Sequence, residues 1–375
     1  MKKETLGIIA ICLLCFVACQ TTQNTVQKVP TVATAKPSLP QVPTTTTVQP
    51  TQPQAPTGEP KFTGPPRQEK KPVTAEQQKH IELAFAAAGQ DFISTAILQC
   101  DVASVDSKIY GSGPGPNFTD VKVEPTKVFD NLYFVGVGAV GAWAITTNEG
   151  IILIDALNNN KEAEEAIEGG FAKFGLDPKT IKYLVITHGH GDHYGGAKYL
   201  KDKYGCKIVM STIDWDYMDK PMRMGPMGAR FGPRPERDME VKDGDKLTLG
   251  NTTLNLVLTP GHTPGTLSII LPVKDNGVAH TAGLWGGTAI PKDEAGIKQY
   301  IASVDYFMKA SAAAKVDVEI SNHCFIDNSL KRMETLRARK AGEPNLFVIG
   351  EKNYARYMTV FKESTLAALA AVVKD

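Results

Sequence analysis

The sequence has few cysteines and few histidines, no surplus of charge of either sign, and no obvious bilayer-spanning run. Three of its six cysteines, Cys12, Cys15 and Cys19, lie in or just after an N-terminal apolar stretch. That leaves Cys100, Cys206 and Cys324, an odd number that rules out a complete disulfide framework. Each reads as a small buried apolar residue. The 41 basic and 40 acidic side chains leave a net charge of +1, so no polyanionic partner such as nucleic acid is expected and a small-molecule substrate fits better. The apolar run Leu6 to Ala18 has 13 residues, short of the ~20 that a membrane helix needs. What is present is a globular balance, 42% hydrophobic and 22% charged, and hence a sizeable buried core.

Lys2 and Lys3 followed by that short apolar run read as an export signal over residues 1–18, removed on maturation. The junction Phe16-Val17-Ala18-Cys19 resembles the lipobox of bacterial lipoproteins, with Phe16 where leucine is usual. The resemblance implies that Cys19 is lipidated and begins the mature chain. The expected location is therefore the periplasm or the outer membrane, with membrane contact through an N-terminal lipid anchor. Residues 19–75 are rich in Thr, Pro and Gln without hydrophobic periodicity and read as a disordered linker, with a reach of roughly 40 Å. Residues 76–375 are expected to form the folded domain. Its oligomeric state is not legible.

Within that domain the periodicity predicts a helix from Thr74 toward Leu98, then strands over 128–137, 142–147 and 151–155, the last two joined at Asn148-Glu149-Gly150. A helix over 161–174 leads into the strand 181–187, apolar on both faces and so central in its sheet. Helix 196–204, strand 207–210, the hairpin 246–249 with 252–258, and strands 266–271 and 278–283 follow. A helix near 304–314, the strand 318–321 and helices near 330–339 and 355–372 complete an α/β chain of mixed sheets covered by helices.

The chemistry concentrates at Thr187-His188-Gly189-His190-Gly191-Asp192-His193-Tyr194-Gly195-Gly196, between a buried strand and a helix. Three imidazoles and a carboxylate within six residues suit a borderline cation such as Zn²⁺, and the glycines let the backbone turn tightly enough for them to converge. With seven histidines in the whole chain, such crowding is unlike a solvated loop. His280 reads as a strand residue with a satisfied hydrogen bond, Cys324 as a packed thiol, His80 as a solvated helix residue, and Gly225 to Pro235 as a mobile flap beside the site.

The pattern His-x-His-x-Asp-His after a strand resembles the signature of the metallo-β-lactamase superfamily. Ile154-Asp155 and Thr259-Pro260-Gly261-His262-Thr263-Pro264-Gly265 resemble its flanking motifs, so the likeness spans roughly residues 125–325. It implies a four-layer αββα sandwich of two mixed β-sheets flanked by helices. It also implies two zinc ions, one held by His188, His190 and His262, the other by Asp192, His193 and His323, with Asp155 orienting the ligands. Thr281 to Gly287 contains no acidic residue, whereas the family's thioesterases and phosphodiesterases carry a metal-bridging aspartate there. The nearest likeness is therefore the β-lactamase subclass with His-His-His and Asp-His-His sites.

That likeness implies a zinc-bound hydroxide attacking a carbonyl, with Asp192 in the catalytic machinery, and the opening of a β-lactam amide ring as the reaction. One alternative is hydrolysis of another ester, lactone or thioester, as in glyoxalase II-like or lactonase-like enzymes. The other is a non-catalytic, metal-binding surface lipoprotein.

Overall fold

In the computed structural model the described residues are 73–100, 122–220, 226–373. The expected signal, lipidation site and most of the linker lie outside them. All belong to one unit, Glu69–Asp375, and no helix among them is long and apolar enough to cross a membrane.

Thr74 caps the first helix, α1 (Ala75–Ala88), by accepting from the Gln77 amide, and Gly89, at φ +53°, ends it. The continuous helix expected toward Leu98 is thus two, α1 and α2 (Ile93–Gln99), because Gly89 takes a positive φ that an α-helix cannot continue through. His80 is not freely solvated: its Nδ1 lies 2.6 Å from Glu363 and its Nε2 3.0 Å from Glu76. The expected strand 128–137 is a hairpin, β1 (Thr126–Phe129) and β2 (Leu132–Phe134), folded where Asp130 and Asn131 supply turn chemistry.

The first sheet continues through β3 (Trp143–Thr147), β4 (Gly150–Ile154), β5 (Ile181–Val185), β6 (Lys207–Ser211) and β7 (Met239–Val241), in that spatial order. It is antiparallel up to β4 and parallel from β4 to β7. The parallel crossovers are α3 (residues 160–174, π-helical over Ala163–Glu168) and, after the short α4 (Gly191–Tyr194), α5 (Ala197–Tyr204). α6 (Thr212–Asp219) then leads toward β7; neither element was legible in the sequence.

The second sheet has the order β12-β11-β10-β9-β8, from β8 (Lys246–Leu249), β9 (Thr252–Leu258), β10 (Leu267–Asp275), β11 (Val278–Trp285) and β12 (Val318–Ser321). Between β11 and β12 runs α7 (Glu294–Ala313), ten residues earlier in its start than expected because Asp293 caps it through the Gly296 amide. α8 (Ser329–Arg337) and α9 (Glu351–Val372) close the chain.

Three apolar cores define the layers. The inner faces of the two sheets meet through residues such as Trp143, Ile152, Leu256 and Leu284. The outer face of the first sheet packs Leu153, Leu184 and Ile208 on Phe171 and Leu200 of its helices. The outer face of the second packs Ile270 and Trp285 on α1, α2, α7 and α9 through Ala88, Phe92, Phe307 and Phe361. The order is helices, sheet, sheet, helices: the expected αββα sandwich.

One surface ion pair braces the inner core from outside. Arg339 forks onto both carboxylate oxygens of Asp275, each at 2.7 Å. That contact holds the Asp275 carboxyl below its usual 3.8, against a smaller opposing effect of burial. A depressed carboxyl stabilises the fold above the unfolded-state value and loses that contribution as pH falls through the folded one. Arg339→Met should therefore cost roughly 1 kcal/mol near neutrality and progressively less as the pH falls below 3.8, read from urea midpoints across that range.

Candidate metal centre

β5 ends at Val185, and the chain enters the histidine segment at the carboxyl edge of the parallel strands, where α/β folds commonly hold their ligands. His190 precedes the first turn of α4 in an extended conformation, so Asp192 and His193 sit on that turn. Two glycines let this segment lie flat against its neighbours. A Cβ on Gly195 would come 1.8 Å from the Asn158 carbonyl oxygen, and one on Gly191 would strike the Phe231 ring at 2.4 Å. Gly195→Ala meets backbone rather than a flexible side chain, and about 3 kcal/mol of destabilisation is expected, the upper end for overpacking. A thermal melt checks it, and an unchanged midpoint would contradict the packing described.

The structure brings the sequence-predicted residues into two clusters. Ligand-capable atoms of His188, His190 and His262 lie within 4.8 Å of one another, as do those of Asp192, His193 and His323. His262 arrives on the loop between β9 and β10, and His323 on the turn after β12. In the first cluster the Nε2 of His262 faces His188 Nε2 and His190 Nδ1, each at 3.1 Å. In the second, His193 Nε2 faces His323 Nε2 at 3.2 Å, with Asp192 Oδ2 at 3.5 Å and 3.8 Å from those nitrogens.

The outer partners decide which nitrogens carry protons. His262 Nδ1 donates to the Ala289 carbonyl (2.9 Å), His323 Nδ1 to the Ala139 carbonyl (2.8 Å) and His193 Nδ1 to Asp155 Oδ2 (2.8 Å). Carbonyl and carboxylate oxygens only accept, so each neutral ring turns an unprotonated Nε2 into the site. Inward lone pairs some 3.1–3.2 Å apart repel unless a proton or a cation lies among them. The donor set, nitrogen-rich with one carboxylate per pair of groups, fits such a cation.

Protonation agrees for the first cluster. Burial pushes His262 down to about 3 and holds His188 well below and His190 below the usual imidazole value, the Asp192 carboxylate opposing the fall at His190. They are therefore neutral, the ligand form, at physiological pH. His323 is lowered in the same way, by burial and then by His193. His193 differs: burial disfavours its charge, but the Asp192 and Asp155 carboxylates prevail and raise it to about 10. Burial opposes the Asp192 charge too, yet His193, His323 and His190 hold that carboxyl far below its normal range. Cation capture at the second cluster thus releases a proton from His193.

Asp155 is fully buried and takes three hydrogen bonds, from the Thr187 amide (2.8 Å), the Thr187 hydroxyl (2.9 Å) and His193 Nδ1. Its φ is +59°, rare for a residue with a Cβ. The surrounding bonds hold it there and orient His193. His280 is paired with Asp317 (2.6 Å) and stands apart from both clusters. Cys324 is buried, its thiol packed in the inner core.

Asp214 escaped the sequence reading. From α6 it accepts from the Gly189 amide (2.7 Å), the Gly265 amide (2.7 Å) and the Thr263 hydroxyl (2.7 Å), tying the His188–His190 loop to the His262 loop. Burial raises its carboxyl, and those same donors oppose the rise. Its local signal is a capping box, Ser211-x-x-Asp214, in which Ser211 Oγ accepts from the Asp214 amide. The segment read as a mobile flap is anchored where it is described: Arg230 donates to Asn158 Oδ1 (3.0 Å), and the Gly232 amide to the Asn158 carbonyl (2.8 Å).

A sequence profile of the metallo-beta-lactamase superfamily matches residues 135–282, the stretch from just after β2 into β11, which carries all of the six clustered side chains but His323. Solved structures with the same sandwich include the subclass B3 metallo-beta-lactamase BJP-1 of Bradyrhizobium japonicum. It is 28% identical, with a TM-score of 0.54 over 64% of this chain and 92% of that one. Residues 135–282 thus match the metallo-β-lactamase superfamily, and the described residues share its fold. Another superfamily structure, the metallo-beta-lactamase GOB-18 from Elizabethkingia meningoseptica, aligns at 25% identity and a TM-score of 0.55 over 68% of this chain and 96% of that one. A hydroxyacylglutathione hydrolase of Brucella anthropi is 34% identical over 130 residues, 33% of this chain and 43% of that protein. The chain spans less than half the length of the curated relatives it matches. Members of this superfamily are metal-dependent hydrolases, and this chain carries both of the corresponding side-chain groups.

Proposed function

We propose that the protein is a dinuclear zinc hydrolase, with His188, His190 and His262 holding one ion and Asp192, His193 and His323 the other. The observation that carries this is the five ring nitrogens turned inward beside a single carboxylate. When bound, such ions polarise a carbonyl and supply a nucleophilic hydroxide near neutral pH. Asp155 keeps His193 in the tautomer that binds. Asp192, the one carboxylate of its cluster, accepts a hydrogen bond from the water that adds to the carbonyl carbon. The proton this water gives up goes to the departing nitrogen or oxygen as the acyl bond breaks.

The ligand set and the likeness to subclass B3 enzymes support β-lactam ring opening. A second reading, hydrolysis of an uncharged ester, lactone or thioester, is favoured by the pocket beside the clusters. Its other walls are largely apolar, with Leu98, Ile290, Phe325 and Ile326, and no lysine or arginine lines it among the described residues. Among the described residues no side-chain cation stands there to meet a substrate carboxylate. Turnover of a chromogenic cephalosporin and of p-nitrophenyl acetate by the zinc-loaded protein, each repeated after chelation, separates the two. Chelator-sensitive loss of both activities supports the hydrolase, and activity indifferent to chelation would refute it.

We also propose that the chain is exported and tethered through a lipid on Cys19. Mass spectrometry of the mature N-terminus tests this, and an unmodified Cys19 would refute the tether.

A further inference from the structure

The pocket at the clusters, ≈ 450 Å³, is not isolated: a second cavity of ≈ 490 Å³ shares two of its lining residues, Gln99 and Ile290. From that neck the second cavity runs between the end of α2 and the last turns of α9. Its walls include Pro291, Ile297, Ala367, Ala368, Ala371 and Val372. Its lysine, Lys292, is exposed. Ala367, Ala368 and Ala371 fall on one face of α9, where small side chains leave room for a guest.

The neck carries a polar handle. Gln99 is 9% exposed, lines both cavities, and its carboxamide makes no hydrogen bond among the described residues. Its amide reaches the cavity space, where it can bond a polar atom of whatever occupies the neck. α2 is held in place for this task, since Ser94 and Thr95 hydroxyls both donate to the Ile326 carbonyl (3.2 and 2.8 Å), on the turn that bears His323. Both α2 and the α9 wall lie outside the segment that the superfamily profile matches.

We propose that the second cavity is an acyl-chain groove, and that the substrate is a neutral ester, lactone or thioester with an extended apolar acyl chain. The carbonyl sits at the clusters, the Gln99 amide meets a polar atom of the substrate near the neck, and the chain runs along α9. This rests on the second reading above, that the site hydrolyses an uncharged acyl compound. Water adds to the acyl carbon, the acyl C–O or C–S bond breaks, and the proton goes to the leaving oxygen or sulfur, with no further reactant.

The test is a series of p-nitrophenyl esters from acetyl to dodecanoyl with the zinc-loaded full chain. It is paired with thermal-shift titration of the metal-free protein by decanamide and by acetamide, which are resistant to turnover. KM should fall by up to about fourfold for each methylene that enters the groove. Ala368→Trp, which fills the groove, should remove that dependence. Gln99→Leu should raise KM for decanoyl ester with a smaller effect on kcat. Decanamide, and not acetamide, should raise the melting temperature, and Ala368→Trp should cancel the rise. Hydrolysis with KM indifferent to chain length, or no decanamide shift, would overturn the groove. No turnover of any ester would overturn the hydrolase reading instead, and the decanamide arm would still decide the groove.

Discussion

In a His323→Ala protein, zinc bound per chain should fall from two to one. The second cluster would keep only Asp192 and His193, while the three imidazoles of the first would be untouched. Removing a residue that merely orients a ligand costs about 10–100-fold in metal affinity; removing a ligand itself should cost more than the upper end of that range. The fold should survive, because His323 is on a turn after β12 and its cavity opens to the pocket rather than the core. Competition titration with a chromophoric chelator resolves the two affinities. Equal loss at both would show that the clusters act as one site and not two.

Asp214→Ala is the more informative change, because Asp214 touches no ring. It accepts from one amide of the His188–His190 loop and from an amide and a hydroxyl of the His262 loop. Alanine leaves those three donors buried without partners, each worth on the order of 1–3 kcal/mol. The first cluster, which needs both loops in register, should lose about 10–100-fold in affinity, and the second should change little. Asp214→Asn should recover part of the loss, since its one carbonyl oxygen can accept from some of those donors. Stability measured with and without zinc separates the two effects: wild type should gain more from zinc than Asp214→Ala does.

How much of this was legible in the sequence follows from range. His188, His190, Asp192 and His193 are neighbours in the chain, so their shared chemistry is visible without a fold. His262, His323 and Asp155 were placed by resemblance, each sitting at a strand end or in a Gly-Pro turn. Alternating strand and helix periodicity pointed to mixed sheets covered by helices, and the αββα order came from the family resemblance. What escaped was tertiary. Ser211-x-x-Asp214 is visible as a helix cap, but nothing local says that the carboxylate leaves its own helix to brace two distant loops. α2 reads as the tail of one long helix until Gly89 breaks it, and its role as a wall of the metal pocket depends on Ser94 and Thr95 meeting Ile326, more than 200 residues away. β7 is three residues long, too short for periodicity to register, and is made a strand by its pairing with β6.

The central claim is that two cation sites lie side by side, built from the two clusters. Metal analysis of the folded, zinc-saturated and dialysed protein tests it most directly. The account requires two zinc ions per chain in wild type. Fewer than one ion per folded chain would contradict it, and with it the hydrolytic function.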